Sequence, residues 1–200
     1  MKKLIAIILA LTLLICGGVS EETTDAPLQA GENEILLHGY ISPYKNYYIG
    51  VPAEWAILGA GSNDVNLTEA TEMLEDVNVY GFARQMTADN DVLLCMAEEA
   101  KAGLIVNYGP CSGVTNDRLI KSLDEIEAAI KAACPGITFK EESGSVEFKS
   151  VAEILLISMN YKNRDILQYY VVNGTDLYLF TFFGTARTIA ETVMTTFTIQ

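Results

Sequence analysis

Asp165-Ile166-Leu167-Gln168-Tyr169-Tyr170-Val171-Val172, then Asn173-Gly174, then Thr175-Asp176-Leu177-Tyr178-Leu179-Phe180-Thr181-Phe182-Phe183, is the stretch on which the fold turns. Two runs rich in β-branched and aromatic residues flank Asn-Gly. That pair suits a type I′ turn because both central residues of such a turn take positive φ. The reading is a β-hairpin turning on Asn173-Gly174. Both runs are apolar at nearly every position, as is Ile154-Leu155-Leu156-Ile157 upstream. Strands apolar on both faces must be covered on both sides.

Working outward, strands are expected over residues 137–142, 145–149 and 151–161, with turns at Ser143-Gly144 and Asn163-Arg164. Leu119, Leu123, Ile126 and Ile130 recur at helical spacing over residues 115–133, and Pro135-Gly136 stops that helix. Ile189, Val193 and Phe197 predict a second amphipathic helix over 186–197. Nearer the N-terminus, short strands are expected over 36–41 and 47–51, turned by Ser42-Pro43, with Pro52-Ala53-Glu54-Trp55 closing the second. A short acidic helix over 66–77 precedes a strand pair over 92–98 and 104–108. The expected fold class is α+β, a mostly antiparallel β-sheet covered by helices on its faces, in a single domain spanning 35–200.

The chain opens with Lys2 and Lys3, an apolar run from Leu4 to Ile15, and Cys16-Gly17-Gly18. Twelve apolar residues span about 18 Å as a helix, short of the ~30 Å hydrocarbon core, so the pattern is a signal peptide over 1–20. Residues 21–34 have almost nothing to bury and carry several carboxylates, the composition of a disordered acidic tether. Fourteen such residues reach roughly 20 Å. The expected location is outside the cytoplasm.

The signal resembles a bacterial lipoprotein signal. Leu13-Leu14-Ile15-Cys16 has the leucine and the cysteine of a lipobox, with Ile15 where Gly, Ala or Ser is usual. The resemblance implies lipid attachment at Cys16 and a membrane partner through that lipid. An ordinary cut after Gly18 or Ser20, giving a secreted protein, stands as the alternative. Further along, Tyr44-x-Asn46-x-Tyr48-x-Gly50 runs into Pro52-x-x-Trp55, and the last helix ends in Thr196-Phe197-Thr198. This order is similar to the PsbP-like fold and to small exported lipoproteins of that shape. It departs at the short strand before Pro52 and at Lys149-Ser150, where a Gly-rich turn is usual. The resemblance implies an α/β/α sandwich and no particular activity.

The net charge is −13, from 13 Lys and Arg against 26 Asp and Glu. Loss of Lys2 and Lys3 with the signal leaves 11 basic residues and a net charge of −15. With no basic cluster, nucleic acid is not an expected partner. Cys95, Cys111 and Cys134 form an odd set after the signal. Cys111 and Cys134 are separated by a helix roughly 27 Å long, so three thiols are expected.

No constellation for catalysis stands out. His38 is the one histidine, and Glu98-Glu99 and Glu141-Glu142 read as solvated charge. Asp89-Asn90-Asp91 lacks the glycine and distant glutamate of an EF-hand loop and reads as a plain turn. Catalytic residues, metal ligands and cofactors are therefore all expected to be none. Tyr40, Tyr44, Tyr47, Tyr48 and Trp55 form an aromatic group that either anchors a ligand or partner or packs the first hairpin. Tyr169, Tyr170, Tyr178, Phe180, Phe182 and Phe183 read as sheet packing. The expected role is a non-enzymatic, envelope-tethered binding or accessory module for an unknown envelope protein or small ligand. An exported hydrolase of wall or dietary polymer and a purely structural subunit are the alternatives.

Overall fold

The structure is a computed structural model that describes residues 35–42, 47–60, 93–97, 102–148, 151–161 and 163–199. The signal segment with Cys16, the tether, Tyr44, the helix expected over 66–77, Asp89-Asn90-Asp91 and Glu98-Glu99 lie outside the described residues.

Eleven strands and three helices are described. In chain order the strands are β1 (Leu37–Ile41), β2 (Tyr47–Pro52), β3 (Ala56–Ala60), β4 (Leu93–Ala97), β5 (Ala102–Pro110), β6 (Thr138–Phe139), β7 (Gly144–Phe148), β8 (Val151–Tyr161), β9 (Arg164–Asn173), β10 (Asp176–Phe183) and β11 (Thr198–Ile199). The helices are α1 (Asn116–Lys121), α2 (Leu123–Ala133) and α3 (Arg187–Thr196). An eight-stranded sheet runs β3-β4-β5-β10-β9-β8-β6, with β7 also paired to β8, and a three-stranded sheet runs β1-β2-β11. Every pairing is antiparallel.

Because side chains alternate along a strand, each central strand feeds two cores. Leu177, Leu179 and Phe183 of β10 join Leu155, Ile157 and Met159 of β8 under Leu119, Ile126 and Ile130 of the α1–α2 pair. Tyr178, Phe180 and Phe182 point the other way, with Ile154, Leu156 and Tyr169. They pack under Ile189, Val193 and Met194 of α3 and under Tyr47, Ile49 and Val51 of β2. The α+β expectation holds, with one refinement: the second face is covered jointly by α3 and the three-stranded sheet.

Several local expectations shift. The helix expected over 115–133 breaks at Ser122 (φ −102°, ψ 14°) into α1 and α2. Thr115 caps α1 by accepting a hydrogen bond from the Arg118 amide. The first strand after that helix is two residues long rather than six. Strands β3 and β11 have no counterpart in the sequence reading. The hairpin turn lies one residue further on. Asn173 pairs with Asp176, so the loop residues are Gly174 and Thr175. Gly174 takes φ +61° and Thr175 does not take positive φ, the signature of a type II′ turn with glycine first.

The thiol expectation holds for Cys111, a buried free cysteine, and fails for Cys134, which is disulfide-bonded. Spacing along the chain tests only the Cys111–Cys134 pairing, whereas bridging depends on which segments meet in space.

Candidate binding face

The three-stranded sheet positions the aromatic group picked out from the sequence. At the two ends of β1, Leu36 O accepts from Ala53 N and Ser42 N donates to Tyr47 O, both at 2.8 Å. Even-numbered residues of β1 therefore bond to β2, and the backbone groups of Leu37, Gly39 and Ile41 point away from it. On the far side of β2, the Gly50 amide donates to Thr196 Oγ1 at 2.6 Å, tying the sheet to the end of α3. The inner face carries Tyr47, Ile49 and Val51 into the core.

The aromatic side chains divide accordingly. Tyr47 and Trp55 are buried, so they belong to the interior and not to a surface. Tyr47 sits among rings, with centroids 6.1 Å from Tyr40, 5.9 Å from Tyr178 and 5.9 Å from Phe197. Tyr40 and Tyr48 are half-buried. Tyr48 shares the outer face with Leu37, Gly39 and Ile41, because Ile41 pairs with Tyr48 and Gly39 with Gly50. A Cβ built on Gly39 would lie 2.7 Å from Tyr48 Cε2, so the ring lies over the glycine and uses its missing side chain. Ile41, opposite Tyr48, is 58% exposed, and Leu36, just before β1 and on the other side of the sheet by alternation, is 73% exposed. These two leucine and isoleucine side chains were not singled out from the sequence. The signal was available: Leu36-Leu37-His38-Gly39-Tyr40-Ile41 is apolar on both faces and carries no Lys, Arg, Asp or Glu.

His38, opposite Val51, is exposed, and Glu141 and Glu142 are exposed in the turn before β7. Glu142 Oε1 accepts a 2.9 Å hydrogen bond from the buried Ser158 hydroxyl. Among the described residues no group of three or more His, Cys, Asp and Glu is placed to hold a metal ion. No described helix is long and apolar enough to cross a membrane.

Inside the second core, Tyr169 is fully buried and its hydroxyl has no hydrogen-bond partner. Burial pushes its phenol well above the ordinary range, with the Glu191 charge adding to the shift and Arg187 opposing it. Arg187 and Glu191 pair with each other at 2.7 Å across one turn of α3. A buried hydroxyl without a partner costs about 1–3 kcal/mol, so Tyr169→Phe is expected to raise stability by about 1 kcal/mol. Urea unfolding measures this, and a loss of stability would reveal that the hydroxyl is satisfied.

No protein-family model matches the chain, and no curated protein does. Among solved structures it is similar to cyanobacterial PsbP (CyanoP) from Synechocystis sp. PCC 6803, at 12% identity and a TM-score of 0.47 over 86% of this chain and 98% of that one. A protein from Bacteroides thetaiotaomicron VPI-5482 is similar at 10% identity and a TM-score of 0.42, over 81% of this chain. The chain spans about half of that protein's length, 48%.

Proposed function

We propose that the chain is an extracytoplasmic binding or accessory module without catalytic chemistry of its own. It takes a partner protein or small ligand on the outer face of the three-stranded sheet. The observation that carries this reading is the exposed Ile41 set directly opposite half-buried Tyr48 on the outer face of the small sheet, with the ring lying over Gly39. Large apolar side chains left in water beside an aromatic ring are the usual composition of an interface anchor. Folding draws no stability from their exposure, so association is the way they leave water. On this reading the domain covers residues 35–200, and the preceding tether holds it near a membrane through lipid on Cys16, or the protein is released.

One experiment addresses both location and partner. Wild-type and Cys16→Ala chains carrying a photo-crosslinking residue at position 48 are expressed in the native host and fractionated. The wild type is expected in the detergent phase and Cys16→Ala in the medium. The crosslinked molecule is identified by mass and then bound in purified form, where Tyr48→Asp is expected to weaken binding at least tenfold, about 1.4 kcal/mol. Crosslinking at 48 no stronger than at exposed Glu125 of α2 overturns the binding face. Recovery of unlipidated wild type from the medium overturns the anchor alone.

A further inference from the structure

Among the described strands, the edges of the two sheets are not alike. A strand edge presents unpaired backbone groups, and proteins blunt such edges with shortness, charge, proline or a bulge. Among the described strands, β11 and β6 are two residues long. Strand β7 carries Glu147, and its ladder with β8 is irregular between Glu147 and Phe148. Strand β3 has a register shift between Ile57 and Gly59. Strand β1 has none of these devices. It is five residues long, pairs with β2 in unbroken register and has no charge, in a chain whose net charge is −13.

The outward groups are also self-complementary. Leu37, Gly39 and Ile41 are evenly spaced about Gly39, and their backbone groups point away from β2. A second β1, antiparallel and centred on Gly39, places Gly39 against Gly39 and Leu37 against Ile41 of the other copy. Each such pair exchanges both of its hydrogen bonds, so the ladder closes with about six. Leu37 and Ile41 then meet as cross-strand apolar pairs on the outer face. At the centre, two glycines put no side chain in the way of the Tyr48 rings.

We propose that two copies of this chain associate through β1, edge to edge, into one continuous six-stranded sheet with two-fold symmetry. The second copy is favoured over a cationic partner strand because the edge itself holds no charge for such a partner to read. The pairing doubles the outer face bearing Tyr48, and it requires no ligand to form. It therefore stands or falls separately from the proposed partner.

A five-residue edge buries well under the ~800 Å² per partner of a standard interface, so the dimer is weak, with dissociation expected at about ten to several hundred micromolar. The two acidic copies repel each other, so raising salt from about 0.02 M to 0.5 M tightens the dimer. Sedimentation equilibrium on the chain as extracted or secreted from producing cells, over about 5 to 500 µM, is expected to show the mass rising toward two chains. Ile41→Pro removes one outward amide and leaves the β1–β2 ladder intact, and it is expected to abolish dimers with an unchanged thermal midpoint. Ile41→Glu is expected to weaken the dimer at least tenfold, and adding Leu37→Lys is expected to restore it, in a double variant whose thermal midpoint is first checked against Leu37→Lys alone because Leu37 also packs against the second core. Residues 37 and 41 are too far apart within one copy to pair but stand opposite each other across the two-fold axis. A monomer at every concentration overturns the proposal, and so does a dimer indifferent to Ile41→Pro or not rescued by Leu37→Lys.

Discussion

Phe197→Ala is expected to lower stability by about 3–5 kcal/mol, a large share of the ~5–15 kcal/mol that holds a typical domain folded. Phe197 is fully buried just past the end of α3. Its ring centroid lies 4.7 Å from Phe180, 5.8 Å from Tyr178 and 5.9 Å from Tyr47. It therefore joins three pieces: the central strand β10, the three-stranded sheet, and the helix that covers both. Truncation loses the transfer free energy of the ring and leaves a cavity bordered by rigid neighbours on separate elements. Each tilted or edge-on ring pair adds about 0.5–1.5 kcal/mol beyond the area buried. Urea unfolding followed by circular dichroism measures the loss. Thr195→Ala, on the exposed side of the same helix, is the control and is expected to change little. A Phe197→Ala loss below about 1 kcal/mol would mean that α3 and the small sheet are not packed as described.

Gln168→Leu is expected to destabilise by about 1–3 kcal/mol although it keeps the side-chain volume. Gln168 is fully buried on β9, on the face beneath α1 and α2. Its Oε1 accepts from the Tyr170 hydroxyl at 2.7 Å, and its Nε2 donates to Thr181 Oγ1 at 3.2 Å on the neighbouring strand. Gln168 and Thr181 are directly opposed in the β9–β10 ladder, so the bond marks the register of the central hairpin. Leucine withdraws both partners' bonds at once in a low-dielectric setting, where such losses are felt in full. Changing all three together, Gln168→Leu with Tyr170→Phe and Thr181→Val, is expected to recover most of the loss. A neutral single substitution, or a triple variant as unstable as the single, would refute this account.

The polar trio shows why part of the fold was legible in the sequence and part was not. The runs 165–172 and 175–183 read as paired strands from local periodicity alone, and β9 and β10 occupy them. The register did not follow. An Asn-Gly pair names a turn, yet the chain closes on Gly174-Thr175, pairing Val172 with Leu177, because packing on both faces decides between neighbouring registers. The helix over 115–133 was legible from Leu119, Ile126 and Ile130. Its break at Ser122 was not, since serine is tolerated within helices and the apolar spacing runs through that position unbroken. Strand β3 escaped notice because Ala56-Ile57-Leu58-Gly59-Ala60 has no alternation, and its pairing partner β4 lies more than thirty residues downstream.

The candidate face divides in the same way. Tyr40, Tyr47, Tyr48 and Trp55 cluster in sequence, and composition could not sort core from rim. Tyr47 differs from Tyr48 only in which side of β2 it leaves, and that side is set by what the small sheet covers.

By itself, then, the sequence determined the local matters: which segments are strands or helices, that the central strands are apolar on both faces, and the acidic balance. These depend on neighbours two to four residues away. The tertiary structure alone decided that α3 and the three-stranded sheet share one face of the large sheet, that Tyr47 and Trp55 are interior, that Cys134 is bridged while Cys111 is free, and that, among the described strands, β1 is an edge with neither a charge nor a break in register. Each of these depends on which distant segments meet, and the free energy of burial that brings them together is a property of the assembled core, not of any one stretch of chain.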